Sequence, residues 1–508
     1  MQRALDIDRS RFADWYQAVV RDADMAETSP VRGAMVIKPW GYGVWEQIQQ
    51  ELDRRIKATG HENCYFPMFI PLSFIAKEAE HVEGFAKEMA VVTHHRLKNI
   101  DGRLAPDPDA KLEEPLVVRP TSETIIGDAF ARWVRSHRDL PLLINQWANV
   151  VRWEMRPRLF LRTTEFLWQE GHTAHASESE AVEETKKMLE VYRSFAEDYL
   201  AMPVIAGEKP ENERFPGAVN TYSIEAMMQD GKALQAGTSH FLGTHFAQAQ
   251  NIKFQDDAGA LTFCNTTSWG VSTRLIGGVI MTHGDDDGLR LPPAIAPRQI
   301  VVVPMLRDKP EDAEVLRYCE ELVAQLSRER VFGQPLRAFL DTKKIKSAEK
   351  RWNWVRRGAP IIVEIGPRDA AAAMITYMRR DSLRDGDKVK SIAKPKQDFL
   401  ENAVQLLAEI QAGLYAEAKA RLDANIKGGV TDWAGVEDYF AGNEDEFKGW
   451  LRVSWSKPTG AELEKVEQKL KGLKLTIRNA PLRQPDSFAP CLFTGAPGVE
   501  EILIGRAY

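Results

Sequence analysis

The sequence predicts a multidomain protein in which helices and strands are mixed. Its 508 residues are enough for two to four domains, at roughly 100–200 residues in each domain. Charged residues form 28% of the chain and aromatic residues 9%, which is typical of folded proteins and not of disordered ones. Beyond residue 299 strand-like and helix-like stretches alternate, which indicates a small α/β domain with a largely parallel sheet.

The first 290 residues mix helical and strand patterns without such alternation. Residues 1–20 predict an amphipathic helix, because aspartates interrupt what would have to be the apolar core of a signal peptide. Residues 34–60 predict a second helix, in which apolar residues recur three or four apart. A strand that Pro67 interrupts is predicted over residues 63–70, and another amphipathic helix over residues 179–200.

A proline-rich segment at residues 289–299 predicts the main domain boundary. After it we predict three strands with helices between them, at residues 300–306, 336–341 and 360–366. Two further helices are predicted at residues 398–426 and 460–473.

The longest apolar runs, residues 275–281 and 300–306, are far shorter than the roughly 18 residues that a membrane span needs. Their length predicts two buried strands. For residues 275–281 the position directly after Arg274, which follows a strand-like segment, also indicates an apolar helix. We therefore expect an intracellular protein that does not contact membranes.

Charge and cysteine content exclude two classes of protein. The net charge of −6 excludes a globally basic protein that coats nucleic acid, although a local basic patch remains possible. The four cysteines lie far apart, without a CxxC pair, at Cys64, Cys264, Cys319 and Cys491. This spacing argues against a disulfide framework and against an evident zinc site, and it favours the reducing cytoplasm.

Three segments carry candidate chemistry. In residues 145–173 two strand-like runs are joined by a loop with several arginines, and guanidinium groups bind phosphate and carboxylate in a bidentate manner. A solvated hairpin explains that segment equally well when it is taken alone. Arg274 could simply mark a helix end, and Thr121, Ser122 and Glu123 could simply cap a helix.

Together these segments resemble the class II aminoacyl-tRNA synthetases. Pro67-Met-Phe69 resembles motif 1, Arg152-x-Glu154 with Arg162-Thr-Thr-Glu-Phe166 resembles motif 2, and Gly270 to Arg274 resembles motif 3. Five further strings resemble prolyl-tRNA synthetases of the archaeal and eukaryotic-like type, which lacks an editing insertion: Arg119-Pro-Thr-Ser-Glu123, Phe166-Leu-Trp-Gln-Glu-Gly-His172, Gly237-Thr-Ser-His240, Thr267-Ser-Trp269 and Gly505-Arg-Ala-Tyr508.

The resemblance implies an α+β fold with three parts. Residues 1–290 would form a class II catalytic domain on an antiparallel sheet, and residues 299–397 an α/β anticodon-binding domain. Residues 398–508 would form a small α/β C-terminal module. The implied reaction activates L-proline with ATP and transfers it to tRNA(Pro), and motif 1 implies a homodimer.

The resemblance also implies a role for individual residues. Arg152 and Arg274 would be the catalytic pair, with Arg152 touching both the proline carboxylate and the α-phosphate. The remaining ATP contacts, with Mg²⁺ on the β- and γ-phosphates, would come from Glu154, Arg162, Thr163, Phe166, Gln235, Thr238 and Ser272. Thr121 and Glu123 would receive the proline ammonium group. The wall around the proline ring would come from Trp168, Glu170, His172, His240 and Ser268.

A basic stretch at residues 341–357 is the candidate anticodon contact. It holds seven Lys or Arg residues against two acidic ones, interleaved with two tryptophans. Cations bind phosphates while aromatic rings stack on unpaired bases, although a solvated helix face would look similar. The residues that we predict to contact the anticodon are Lys346, Lys350, Arg351, Trp352 and Arg356.

The C-terminal module departs from the family pattern. Relatives commonly carry four zinc-binding cysteines there, whereas this chain has only Cys491, with Ser456 and Thr494 near other ligand positions. One cysteine cannot form a tetrahedral thiolate site. We therefore predict a module without structural zinc, in which Cys491 is a small buried apolar residue.

Two other functions fit parts of the sequence. One is a class II synthetase for another small amino acid such as threonine, which the strings at Thr121–Glu123 and Trp168–His172 disfavour. The other is a paralogue that binds tRNA without catalysis, which the presence of both Arg152 and Arg274 disfavours.

Overall fold

A computed structural model of the chain describes residues 5–77, 89–443 and 446–508. Its largest element is an eight-stranded sheet, whose strands we number β1 to β8 in chain order: Glu62–Asn63, Leu142–Val151, Glu165–His175, Ile205–Glu208, Asn220–Met227, Ala233–Gly243, Asn265–Ser272 and Ala480–Pro481. They lie in the order β8-β4-β5-β6-β7-β3-β2-β1. Every pairing is antiparallel except the short one between β1 and β2, as the family pattern predicts.

Four helices bury their apolar sides against one face of this sheet or beside it: Phe12–Asp22, Pro39–Ala58, Glu178–Asp198 and Arg274–His283. The helix Glu178–Asp198 begins with a capping box in which Ser177 and Glu180 bond each other's backbone N–H groups. The helix predicted over residues 1–20 begins only at Phe12, and residues 1–4 lie outside the described residues.

The structure corrects one strand prediction. Residues 275–281 belong to the helix Arg274–His283 and not to a buried strand. Nearly every side chain of this helix is buried, so its sequence has no polar face, and an all-apolar run cannot show helical periodicity. The strand predicted over residues 63–70 is interrupted as expected, with β1 before Pro67 and Phe69–Pro71 after it.

A five-stranded sheet forms the second part of the chain. Its order is Ala338–Leu340, Ile300–Pro304, Ile361–Ile365, Met374–Arg379 and Ile392–Pro395. The first three strands are parallel, as predicted, but Met374–Arg379 runs antiparallel to both of its neighbours. Only the short helix Pro367–Ala371 precedes it, in place of a full crossover. The helices Asp312–Leu326 and Ser347–Arg356 pack on this sheet.

A four-stranded sheet lies at the C-terminal end, with strands Ile426–Lys427, Trp450–Trp455, Glu500–Gly505 and Thr476–Ile477. Three helices accompany it: Lys396–Ala424, Trp433–Phe440 and Gly460–Gly472. The first of these packs Phe399, Leu407 and Leu414 against the five-stranded sheet, so it links the second and third parts. The strand β8 also comes from the third part, yet it pairs with β4 in the first sheet.

The remaining elements lie mostly beside β1 and β2 or on the surface. They are the strands Ala26–Thr28, Met35–Ile37, Phe69–Pro71, Val91–His94, Leu97–Ile100, Arg103–Pro106, Lys111–Val118, Lys253–Gln255, Leu261–Phe263, Arg330–Val331, Gln334–Pro335, Arg384–Asp385 and Lys388–Val389, and the helices Leu72–Lys77, Glu123–Trp133 and His245–Gln250. Among the helices of the described ranges, none is long and apolar enough to cross a bilayer.

Candidate active site

A cavity of about 330 Å³ opens on the face of the large sheet opposite the helical core. Its wall comes from β3, β5, β6 and β7 and from the start of the helix Glu123–Trp133. Most of the predicted adenylate-site residues line it together: Thr121, Glu123, Arg152, Phe166, Trp168, Glu170, His172, Gln235, Thr238, His240, Ser268, Ser272 and Arg274.

Strand register explains why side chains so distant in sequence meet. Trp168 lies opposite Ser272, and His172 lies opposite Ser268, while Ser268 also lies opposite His240 on the other side. Alternate residues of a strand face the same side, so these side chains share the cavity face. Gly171 points the other way, where a Cβ atom would lie 2.0 Å from the Trp269 indole; only glycine allows that ring to cross β3.

A hydrogen-bond network holds the Glu170 carboxylate in the wall of the cavity. Ser122 Oγ donates to Glu170 Oε1 at 2.6 Å, and Gln146 Nε2 donates to the same oxygen at 2.8 Å. His172 Nε2 lies 2.9 Å from Glu170 Oε2. Ser122 occupies the N-cap position of its helix but makes no side-chain cap, so its hydroxyl orients Glu170 instead.

Glu170 also controls the charge of His172. Burial disfavours the imidazolium, but the hydrogen bond and the charge of Glu170, with Glu123 beyond it, outweigh burial and raise the pKa of His172. The Thr121 hydroxyl donates to the Glu123 carboxylate, which orients that carboxylate at the N-terminus of the helix Glu123–Trp133. This side of the cavity is therefore suited to an ammonium group.

Two guanidinium groups also line the cavity. Arg152 Nε donates to the Pro120 carbonyl at 2.9 Å, and its guanidinium lies 5.6 Å from the Phe166 ring centre and 5.5 Å from that of Trp168. Arg274 Nε donates to the Leu161 carbonyl at 3.2 Å. Burial, together with the charges of Arg152 and Arg162, lowers the pKa of Arg274 to about 10. An anion bound here would relieve that repulsion.

A third part of the cavity wall surrounds His240. Thr221 Oγ1 lies 3.0 Å from His240 Nδ1, and the Phe215 ring packs 4.8 Å from the His240 ring. Burial, reinforced by His172, lowers the pKa of His240 to about 3. Among the described residues, Trp168 Nε1 and Ser268 Oγ are buried without a hydrogen-bond partner, so both polar groups are available to a ligand.

Three predicted ATP contacts do not line the cavity. Glu154 and Arg162 pair with each other at 3.1 Å on the loop between β2 and β3, and Thr163 Oγ1 donates to the Glu165 carbonyl at 2.7 Å. The ion pair between Glu154 and Arg162 stiffens the loop that carries Arg152. The contact of Glu154, Arg162 and Thr163 with ATP stays a prediction.

Sequence reasoning missed the loop at residues 213–216, whose four residues all line the cavity. It also missed Thr221, which faces His240. The loop has no periodicity and no helix signal. The only sequence feature that could have indicated it is the string Glu-Arg-Phe-Pro, in which an aromatic residue lies between charged residues and a proline.

The basic stretch is only partly available to RNA. Lys343, Lys344 and Lys346 are exposed. Lys350, by contrast, is 2% exposed and donates to the Asp341 carbonyl at 2.8 Å, so the prediction that it contacts the anticodon is corrected. It points inward because Trp354, four residues later on the same helix face, is also buried.

The other three predicted anticodon residues are half-buried. Arg351 pairs with Glu364 at 3.3 Å and its guanidinium lies 5.8 Å from the Trp352 ring centre. Arg356 donates to Asn353 at 2.6 Å. Their contact with RNA stays a prediction.

In the C-terminal module Ser456, Cys491 and Thr494, the residues near the family's zinc-ligand positions, lie close together. Ser456 Oγ and Thr494 Oγ1 lie 3.2 Å apart, and Cys491 is buried between them. Burial raises the pKa of the Cys491 thiol, but hydrogen bonds from Ser456 and Thr494 outweigh burial and lower it overall. Within the described ranges no group of three or more His, Cys, Asp or Glu side chains could hold a metal ion.

Comparison with known proteins agrees with this geometry. Residues 107–283 match the tRNA synthetase class II core domain (G, H, P, S and T), and residues 299–394 match an anticodon binding domain. The chain is 64% identical to a proline–tRNA ligase of Sphingomonas elodea, with 100% of both chains covered. It is 63% identical to a proline–tRNA ligase of Sphingopyxis alaskensis, covering 100% of this chain and 96% of the relative.

A solved structure is also similar along nearly the whole chain. The crystal structure of prolyl-tRNA synthetase from Cryptosporidium parvum, complexed with L-proline and AMP, is 34% identical with a TM-score of 0.87. The match covers 99% of this chain and 97% of that one. The resemblance inferred from the motifs is thus confirmed. The chain belongs to the proline–tRNA ligase family of class II aminoacyl-tRNA synthetases.

Proposed function

We propose that the cavity joins L-proline to the α-phosphate of ATP and then passes the prolyl group to tRNA(Pro). The observation that supports this most directly is that carboxylates and guanidinium groups share the cavity wall. Glu123, Glu170, Arg152 and Arg274 all line it, and the charges of Glu123 and Glu170 act on Arg152. A zwitterionic amino acid would place its ammonium group against the carboxylates and its carboxylate against the arginines and the incoming phosphate.

Catalysis then rests on position and charge. The proline carboxylate attacks the α-phosphorus, the bond to the bridging oxygen breaks, and pyrophosphate leaves. Both reacting groups are anions, so bringing them together is the main barrier. Arg152 is anchored on the Pro120 carbonyl and would contact both. Its charge would neutralise the oxygens on which negative charge accumulates.

The proline end is proposed to recognise a secondary ammonium and a compact ring. Glu123, oriented by Thr121, would accept the ammonium hydrogens. Trp168, Glu170, His172, His240 and Ser268 would surround the ring. Because burial lowers the pKa of His240 to about 3, this imidazole adds no charge that would repel the ammonium group.

The nucleotide end would use Phe166 for the adenine ring and Arg274 for phosphates. Gln235, Thr238 and Ser272 also line the cavity and would add polar contacts. The donors here are cationic or neutral, which fits phosphate oxygens. Mg²⁺ would enter with ATP and would neutralise charge on its phosphates.

We assign residues 1–290 to catalysis, residues 299–397 to anticodon binding and residues 398–508 to a supporting module. We infer a homodimer, because apolar side chains stay exposed around motif 1, among them Tyr65 at 70% and Phe69 at 41%. We also infer a cytoplasmic location, since all four cysteines are free thiols.

Reversing the charge of Lys343, Lys344 and Lys346 together to glutamate is expected to raise the KM for tRNA by about tenfold or more, because three phosphate contacts are lost. Proline-dependent pyrophosphate exchange should not change. Steady-state aminoacylation at two salt concentrations measures this. The matched control reverses Lys465, Lys469 and Lys471, which are exposed on the helix Gly460–Gly472; equal losses in both variants would contradict the assignment.

The test of the proposed function itself is ATP–pyrophosphate exchange without tRNA. Proline is expected to support the fastest exchange, with threonine, alanine and cysteine far below it. Exchange that is fastest with threonine would favour a different substrate. Folded protein that shows no exchange with any amino acid would favour a tRNA-binding protein without catalysis.

A further inference from the structure

A fully buried carboxylate lies on the cavity face of the large sheet and has no part in the proposed chemistry. Glu225 on β5 is 0% exposed. It shares its face with Thr221, because alternate residues of a strand point the same way, and it lies opposite Gln235 on β6. Thr221 and Gln235 both line the cavity. Glu225 is therefore buried at the cavity's edge.

Its partner comes from the C-terminal module. Arg478 Nη2 and Nε donate to Glu225 Oε2 at 2.7 and 3.2 Å, and Arg478 is itself 6% exposed. The next residue, Asn479, donates to the Ile205 carbonyl at 3.0 Å, and β8 then pairs with β4. The module thus inserts a four-residue segment into the catalytic sheet, and Arg478 is its charged contact.

On the other side Glu225 leads back to the cavity loop. Lys209 Nζ lies 3.2 Å from Glu225 Oε1 and 3.0 Å from Glu213 Oε2. Lys209 is 3% exposed, so the pairing is shielded from solvent and from salt. Glu213 begins the loop whose Phe215 packs against His240. Four alternating charges therefore join the C-terminal module to the proline end of the cavity.

We propose that Arg478 is a positioning residue for proline binding, and that it acts through Glu225 and Lys209 to hold the loop at residues 213–216 against the proline end. The inference rests on the proposed function of the cavity. It gives the C-terminal module a role that needs no zinc, because the module supplies the Arg478 guanidinium. Without this cation the negative charge of the buried Glu225 carboxylate would be only partly neutralised. Lys209 would then turn towards Glu225 and release Glu213.

The test compares Arg478→Met and Arg478→Lys in pyrophosphate exchange with the full chain. Arg478→Met is expected to raise the KM for proline at least tenfold and the KM for ATP by much less, because Arg478 and Glu225 reach Arg274 only through the long-range effect of their charges. Arg478→Lys should restore most of the proline affinity, because it keeps the charge. Trypsin should cut the Arg214–Phe215 bond several times faster in Arg478→Met, and saturating proline should restore protection.

The control is Arg452→Met, which removes an arginine of the same module that pairs with Glu501 away from the cavity; its KM values should stay within twofold of wild type. If Arg478→Met does not fold, Lys209→Met makes the same test, because Arg478 still pairs with Glu225 there. A proline KM within twofold of wild type, or equal rises in both KM values, overturns the proposal. Absent exchange in the wild type would instead refute the proposed function.

Discussion

Arg152→Ala is expected to lower proline-dependent pyrophosphate exchange by about 10³-fold, the loss that removal of one preorganised donor to a developing charge can cause. Arg152 is the residue placed to contact both reacting anions. Its removal leaves the carboxylate and the α-phosphate without a shared counter-charge. Arg274 cannot replace it, because its guanidinium is anchored on the Leu161 carbonyl.

Two comparisons make this result specific. Arg152→Lys should remain severely impaired, since an ammonium group cannot bridge two anions as a planar guanidinium does. Arg132→Ala is the matched control, because Arg132 is exposed and pairs with Asp128 on the part of the helix Glu123–Trp133 that does not line the cavity. Near-normal exchange by folded Arg152→Ala would refute the assigned role of Arg152.

The second large effect is expected at Glu123. Glu123→Gln should raise the KM for proline by about 10- to 100-fold, because a charge-assisted hydrogen bond contributes about 1.5–3 kcal/mol. The KM for ATP should change little, since the proposed role of Glu123 is to receive the proline ammonium group and not to contact the nucleotide. Exchange rates at varied proline and fixed ATP measure this.

Asp128→Asn is the matched control for Glu123→Gln, because Asp128 lies on the same helix but outside the cavity and pairs only with exposed Arg132 within the described contacts. That variant should retain wild-type KM values. A Glu123→Gln enzyme whose proline KM is unchanged would mean that another group receives the ammonium, and Glu170 would be the next candidate.

Local sequence determined much of this protein. Strands on both sides of the motif 2 loop, the helices near residues 178–198 and 460–472, and the first three parallel strands of the second sheet follow from periodicity and from glycine and proline positions. The resemblance of the ordered strings to the family then pointed to most residues of the cavity wall. The alternation of side chains along neighbouring strands explains why these residues share one face.

Only the tertiary structure decided the rest. The composition of residues 341–357 shows a basic stretch, but not that Lys350 faces inward, since helical phase is set by what packs against the helix. Residues 275–281 carry no polar face from which to read a period. The pairing of Arg478 with Glu225 joins residues more than 250 positions apart, and no local sequence pattern encodes such a contact. It forms because β8 is the edge strand of the large sheet, at the end opposite β1.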